Sequence, residues 1–197
     1  MIELLAEQPD DRWEVEALYD LCFAPGREAL SSYRLRDDVP PVPGLSQVAR
    51  DELGILAGAI RFWPVHIERC DPVPRDCDSQ AVARKVTNAE EVPNTRVTAL
   101  LLGPVAVHPT HQGEGLGGSL IRDSLAKAAE HGWQRVMLVG DAPYYQRFGF
   151  RRLAGVEMPP PTNPDRVLGL ATAPGAWQGV SGRVVRWEAA GAPLAGP

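Results

Sequence analysis

Four glycines crowd the six positions 113–118, directly before a stretch whose apolar spacing predicts a helix. Each glycine in a helix interior costs about 1 kcal/mol relative to alanine, so folding alone does not explain such a helix start. Backbone without side chains lets a ligand approach closely, and the free N–H groups and positive dipole at a helix N-terminus favour an anion. The cluster, made up of Gly113, Gly115, Gly117 and Gly118, therefore predicts a phosphate-binding turn.

Two familiar phosphate motifs fit this cluster poorly. A nucleoside-triphosphate loop requires lysine after the last glycine of GxxxxG, but Gly118 is followed by Ser119. The dinucleotide fingerprint GxGxxG is met by Gly113, Gly115 and Gly118, yet its first glycine should stand at the end of a strand. Here HPTHQ separates Val107 from that glycine. A glycine-rich turn without a ligand is a further alternative.

A third motif, Q/R-x-x-G-x-G/A, is met by residues 112–117. Around it, the buried-strand pattern VTALLLGPVAV (97–107), a helix, a second apolar strand at 135–141 and the segment YYQRFGF (144–150) follow in order. This arrangement resembles the acetyl-CoA-binding core of the GCN5-related N-acetyltransferases (GNAT). FAPGREALSSYRLR, residues 23–36, also resembles a bacterial branch of predicted small-molecule acetyltransferases.

The resemblance implies a mixed α/β fold in which a central, mostly antiparallel sheet splays around acetyl-CoA and helices pack on both faces. We expect a single N-acetyltransferase domain over residues 1–187, with a β-hairpin at 45–68. Residues 68–96 are charged and proline-punctuated, which predicts a surface loop insertion. The Ala, Gly and Pro-rich residues 188–197 predict a flexible tail.

The resemblance also implies where acetyl-CoA binds. Gly103-Pro104 interrupts a strand with a residue that cannot donate a ladder hydrogen bond, which predicts a bulge or splay. In the family, the pantetheine arm enters such a gap much as an added strand would. The residues assigned to this cosubstrate are the strand residues Val105 and Val107, through their backbone, and the pyrophosphate-wrapping residues Gln112, Gly113, Gly115, Gly117 and Gly118.

The reaction implied by the family is direct acetyl transfer from acetyl-CoA to a primary amine, without a covalent enzyme intermediate. The family's general acid aligns with Tyr145, which would protonate the departing CoA thiolate, whereas Tyr144 is expected to pack. An ordinary phenol, with a pKa near 10, remains protonated at neutral pH. The alternative is a non-catalytic acyl-CoA-binding or sensing module, which would keep the glycine turn without turnover.

The general base stays open. Five candidates have suitable side chains, but an amine that loses its proton through water needs no dedicated base. The histidines at 108, 111 and 131 are expected at a connecting loop or a helix end, while the other two candidates stand on the predicted hairpin. They are His66, Glu68, His108, His111 and His131.

Composition excludes several other classes of function. A formal net charge of −5 disfavours a broad nucleic-acid surface. The acidic N-terminus does not match a signal peptide and the longest apolar run is too short to span a bilayer, so we expect a cytoplasmic protein with no membrane partner. Cys22, Cys70 and Cys77 give no disulfide framework, and no paired ligand spacing predicts a metal site.

The acetyl acceptor is not specified by the sequence. A small metabolite, an antibiotic amine, an amino acid and a protein N-terminus all fit, because acceptor pockets in this fold are built from variable loops. Predicted sheet edges near the C-terminus are compatible with a homodimer.

Overall fold

The computed structural model describes residues 2–23, 26–69 and 96–188. Its helices are α1 (Arg12–Cys22), α2 (Ser31–Arg34), α3 (Leu116–Glu130) and α4 (Ala142–Tyr145). Its strands are β1 (Glu3–Ala6), β2 (Gln47–Arg50), β3 (Leu56–Glu68), β4 (Arg96–Val107), β5 (Arg135–Val139), β6 (Arg151–Arg152), β7 (Val156–Glu157), β8 (Val167–Ala171) and β9 (Gly182–Arg186).

These strands form one sheet with the order β1-β2-β3-β4-β5-β8-β6, while β9 pairs with both β3 and β7. Within the described residues, only the pairs β4–β5 and β7–β9 are parallel, and the other neighbours are antiparallel. The predicted fold class, a mostly antiparallel sheet with helices, is confirmed. None of the helices in the described ranges is long and apolar enough to cross a bilayer.

Alternation along β3 and β4 explains why helices cover both faces of the sheet. Ala59 and Ala106 pack in the cluster formed with α1, whereas Ile60 faces the larger cluster formed with α3. Successive side chains on a strand point to opposite faces, so a strand buried on both faces needs an almost continuous apolar run. The predicted buried strand at 97–107 is confirmed on this basis.

The predicted hairpin is confirmed, with β2 and β3 antiparallel. Asp51 shapes its turn, because its carboxylate accepts hydrogen bonds from the N–H groups of Leu53 and Ile55, each at 2.9 Å. Near the C-terminus, the sequence pattern at 150–156 predicts one strand, but the structure has the two-residue strands β6 and β7 there, and β9 was not predicted.

Two other predictions fall largely on residues that the structure does not describe. Most of the insertion expected at 68–96 lies outside the described ranges, as does most of the tail expected at 188–197.

A buried ion-pair network fixes α1 against the sheet. Arg61 on β3 is 5% exposed, and its Nε and Nη2 donate to the carboxylate of Glu7 at 2.6–3.0 Å. Its Nη1 donates to Glu16 on α1. Glu16 also accepts from Arg27 at 2.7 Å, so one carboxylate joins β3 to the segment that follows α1.

We expect Glu7→Gln to lower the free energy of unfolding by about 2–3 kcal/mol. Breaking a buried pair leaves an uncompensated charge and costs about 3–5 kcal/mol, and here Arg61 retains Glu16. The matched control, Glu3→Gln, changes an exposed carboxylate and should cost less than about 0.5 kcal/mol. Urea denaturation measures both, and equal stability of the two variants would contradict this role for Glu7.

Candidate active site

A cleft opens where the parallel strands β4 and β5 separate. The two strands pair at only two positions, Leu100 and Leu101 of β4. A bulge follows, because Gly103 and Pro104 together stand opposite the single residue Arg61 of β3. Bulges bend the strand that carries them, so β4 turns and leaves its partner. The interruption predicted at Gly103-Pro104 is therefore confirmed.

The cleft holds a cavity of about 150 Å³. The bulge forms one wall, the end of β5 forms the opposite wall, and Phe23 and the segment 27–36 cover one side. The lining residues are Phe23, Arg27, Leu30, Ser32, Tyr33, Arg36, Leu101, Leu102, Gly103, Pro104, Val105, Leu138, Val139 and Tyr145.

The backbone groups of Val105 and Val107 point away from β3. Hydrogen-bonded positions alternate along an antiparallel pair, and the His108 N–H donates to a β3 carbonyl at 2.8 Å. The N–H and C=O groups of Val105 and Val107 therefore point to the side of β4 that does not pair with β3. The Val107 carbonyl on that side accepts from the side-chain amide of Gln112 at 3.1 Å and from the Cys22 thiol at 3.4 Å. Gln112 thereby anchors the following turn to the end of β4.

A run of unpaired N–H groups begins α3. Within the described residues, the N–H groups of residues 113–118 have no protein acceptor, and the first helical bond runs from Ser119 to the Gly115 carbonyl at 3.1 Å. Gly113 and Gly115 have φ values of 87° and 81°, which side-chain-bearing residues rarely adopt. A Cβ on Gly117 would lie 3.4 Å from Val107. The glycines thus serve both the turn and a row of open donors, an arrangement suited to an anion.

Two arginines lie beside this row of donors. Arg122 stands one helical turn along α3, and its guanidinium reaches within 3.3 Å of where a Gly118 Cβ would be. Arg147 lies over the Tyr144 ring at 4.0 Å, and both arginines lie over Phe148, at 5.3 and 4.9 Å. Sequence reasoning did not identify them, because the motif gives no position for an arginine outside the loop.

Tyr145 stands at the end of α4 with its ring against the backbone of Gly140. A Cβ at Gly140 would lie 2.4 Å from that ring, so only glycine admits the tyrosine here. Phe150 packs edge-on at 5.9 Å and Tyr144 at 4.9 Å. Among the described residues the Tyr145 hydroxyl has no hydrogen-bond partner. Burial, with a smaller contribution from Tyr144, raises the pKa of Tyr145 to about 12, so the phenol is protonated at neutral pH.

The hairpin candidates for a base do not line the cavity. His66 stacks on Trp187 at 4.2 Å, near the far end of β3. Burial and the nearby Arg96 lower the pKa of His66. Glu68 pairs with Arg96 at 2.7 Å, so its carboxylate is engaged in an ion pair.

The other histidines are engaged locally and also lie outside the cavity lining. One bonds within its own turn, one lies near a loop carboxylate, and one caps a carbonyl at the end of α3. These contacts are His108 with Thr110 at 2.6 Å, His111 with Glu114 at 3.4 Å, and His131 with the Lys127 carbonyl at 2.7 Å. The structure therefore brings Tyr145, Val105 and the bulge together, and leaves all five candidate bases elsewhere.

A wider groove adjoins the bulge, between α1, β3 and the segment 27–46. Arg27, Arg36 and Arg61 lie in its wall, and carboxylates bind the first and third of these. The sequence analysis gave no role to any of the three. Their contacts span up to 54 residues of sequence, and no local spacing signals them.

No cluster of three or more His, Cys, Asp or Glu side chains in residues 2–23, 26–69 and 96–188 is placed to hold a metal ion. Cys70 and Cys77 lie outside the described residues, and Cys22 is half-buried on α1.

The sequence is similar to known acetyltransferases. The acetyltransferase (GNAT) domain matches residues 81–153. The N-acetyltransferase YhbS of Escherichia coli K12 is 29% identical over 148 residues, which cover 75% of this chain and 72% of YhbS. The N-acetyltransferase YjhQ of the same strain is 46% identical over 55 residues, which are 28% of this chain and only 30% of YjhQ.

Solved structures share the fold. The crystal structure of E. coli YhbS in complex with CoA superposes with a TM-score of 0.70 at 25% identity, covering 95% of this chain and 90% of the other. A GNAT-family acetyltransferase from Brucella melitensis in complex with acetyl-CoA gives a TM-score of 0.63 at 27% identity, covering 96% and 97%. The mixed sheet and the helices on its two faces are therefore shared with these proteins.

Proposed function

We propose that the chain, which resembles the GNAT acetyltransferases in sequence and fold, transfers the acetyl group of acetyl-CoA to a primary amine. One observation carries the proposal. A splayed strand pair, a row of unpaired N–H groups at 113–118 and a protonated phenol at Tyr145 all adjoin the same end of β4. Two relatives with this fold have been crystallised with CoA or acetyl-CoA, which supports the same cosubstrate here.

The open donors would bind the pyrophosphate of acetyl-CoA. In this proposal the N–H groups of residues 113–118, Gly113, Gly115, Gly117 and Gly118 among them, surround the phosphate oxygens, and Arg122 adds charge nearby. Gln112 acts indirectly, because its side chain holds the turn against the Val107 carbonyl.

The pantetheine arm would lie along β4. The backbone groups of Val105, and the N–H of Val107, face the cleft and can bond an amide-containing chain as an added strand does. This path leads from the glycine turn towards the bulge, so the thioester would reach the cavity beside Tyr145.

The chemistry follows from that placement. The neutral amine attacks the thioester carbonyl carbon, forming a C–N bond, and the C–S bond breaks with its electron pair on sulfur. Tyr145 donates its proton to the departing thiolate, and the attacking nitrogen, which is positively charged once the C–N bond forms, returns a proton to Tyr145 through water as it becomes the neutral amide nitrogen. Products are the acetylated amine and CoA. Because the pKa of Tyr145 is about 12, the acid remains available throughout the neutral range.

We expect Gly117→Val to weaken acetyl-CoA binding at least about tenfold, or about 1.4 kcal/mol. The added methyl groups would enter the space between α3, Val107 and the Tyr144 hydroxyl, where the cosubstrate must turn. Calorimetric titration measures the change. Ala129→Val, an exposed position on the same helix, tests the helical cost of a β-branched residue alone. Equal affinities for the two variants would refute the assignment of the glycine turn.

We expect Tyr145→Phe to reduce kcat by about 10²-fold or more, since general acids contribute about that much. The dissociation constant of acetyl-CoA should change little, because only the hydroxyl is removed. Tyr144→Phe is the matched control and should keep kcat within about threefold. Thiol release in the presence of an amine panel measures turnover.

Unchanged kcat in Tyr145→Phe would remove Tyr145 from the acid role. Tight acetyl-CoA binding without thiol release across the panel in the unmutated protein would instead favour a binding module.

A further inference from the structure

Apart from the exposed Arg12, three arginines line the groove beside the bulge, and among the described residues carboxylates neutralise two of them. Arg27 pairs with Glu16 at 2.7 Å and Asp20 at 2.8 Å, and Arg61 pairs with Glu7 and Glu16. The third arginine, Arg36, has no carboxylate partner among the described residues.

The Arg36 guanidinium is held between two aromatic rings, 4.3 Å from the centre of Tyr33 and 4.6 Å from that of Trp63. Its Nε and Nη1 are inaccessible to solvent, and neither donates a hydrogen bond to any described residue. The Tyr33 hydroxyl accepts from Arg27 at 2.9 Å and also interacts with the Arg36 guanidinium, which favours the charged form of Arg36, but Tyr33 supplies no negative charge at neutral pH. Buried polar groups are rarely left unpaired, so each unpaired donor requires an explanation.

The two acidic neighbours in sequence do not supply the missing partner. Asp37 and Asp38 are exposed and contact Arg186, which donates to the Asp37 carbonyl at 3.2 Å and lies 3.8 Å from the Asp38 carboxylate. Burial, opposed by Tyr33 and Tyr19, lowers the pKa of Arg36 to about 10. The group is therefore still a cation at neutral pH, with its charge uncompensated.

The location of Arg36 indicates which ligand its guanidinium binds. Arg36 lines both the small cavity and the wide groove, and its Nη2 comes within 4.0 Å of where a Cβ on Gly103 would be. The glycine turn begins beyond Val107, four residues along the strand or about 13 Å away at about 3.3 Å per residue. Arg36 is thus remote from the proposed pyrophosphate site and next to the place where the thioester meets its acceptor.

We infer that Arg36 binds a carboxylate of the acceptor, so that the acceptor is an amine that also carries a carboxylate, as an amino acid does. The inference rests on the proposed function, because it names the substrate class for the same cleft. Arginine suits this role, since its guanidinium stays charged at neutral pH and forms charge-assisted hydrogen bonds with carboxylates. The stacked rings hold the guanidinium in place without neutralising it.

The test compares acceptors that differ only in the carboxylate. The common α-amino acids, β-alanine and 4-aminobutyrate are each paired with their carboxamide, and kcat/KM is measured by thiol release from acetyl-CoA. The carboxamides have the less basic amines, so without an anion site they would be the faster acceptors. We expect at least one carboxylate-bearing acceptor to exceed its carboxamide by about tenfold or more, in line with a charged hydrogen bond.

Arg36→Met keeps the length and apolar packing of the side chain, and should abolish that preference while leaving the acetyl-CoA dissociation constant unchanged. Arg36→Lys keeps the positive charge and should retain part of the preference for the carboxylate-bearing acceptor. Arg34→Met, an exposed arginine on α2, is the matched control and should retain the preference. Calorimetric titration with acetyl-CoA verifies that each variant is folded.

Two results would overturn the inference while leaving the proposed function intact. One is a preference for the carboxylate that survives in Arg36→Met. The other is turnover by the unmutated enzyme with carboxamides or simple amines but with no carboxylate-bearing amine. Failure of the unmutated protein to bind acetyl-CoA would overturn the proposed function, and the inference with it.

Discussion

The bulge at Gly103 and Pro104 is the feature on which the rest of the site depends. Two residues of β4 occupy the space opposite one residue of β3, and the parallel contact with β5 ends after two positions. Without that departure, β5 would pair with the backbone of Val105 and close the cleft. With it, a strand in the middle of the sheet keeps unpaired backbone groups beside a cavity, which is otherwise a property of sheet edges.

The unpaired N–H groups at the start of α3 explain why this helix begins with so many glycines. The unpaired N–H groups of residues 113–118 and the positive φ angles of Gly113 and Gly115 are costly for a helix start. The cost is offset further along the helix, where Leu120 and Ile121 are fully buried against the sheet. The helix is therefore anchored by its middle, while its first turn is free to bind an anion.

Much of the arrangement proposed to bind the cosubstrate was predictable because its sequence signals are local. A strand, a motif of six residues, a helix and the YYQRFGF segment follow one another in the chain, and the structure places them around one cleft. The bulge was predictable for the same reason, since proline cannot donate within a ladder. Gln112 was predicted to wrap the pyrophosphate, and the sequence did not show that its side chain bonds the Val107 carbonyl.

The proposed acceptor side could not be predicted, because its contacts join distant parts of the chain. Arg36 stacks on Trp63 and lies near Gly103, and Arg61 pairs with Glu7. These partners are far apart in the sequence, so no short motif predicts the contacts.

His66 on the hairpin is a residue that the sequence suggested but the structure places away from the cavity. Residue type made His66 a candidate base, but β9 and Trp187 cover that end of β3, and β9 is too short and polar to predict from its own residues.

The measurement that tests the central claim most directly is calorimetric titration of the purified protein with acetyl-CoA, with NADH and ATP titrated in parallel. The account predicts a dissociation constant of about 1 μM or below for acetyl-CoA and no measurable heat of binding for the other two. Binding of NADH without acetyl-CoA would contradict it, since the glycine turn would then serve a dinucleotide.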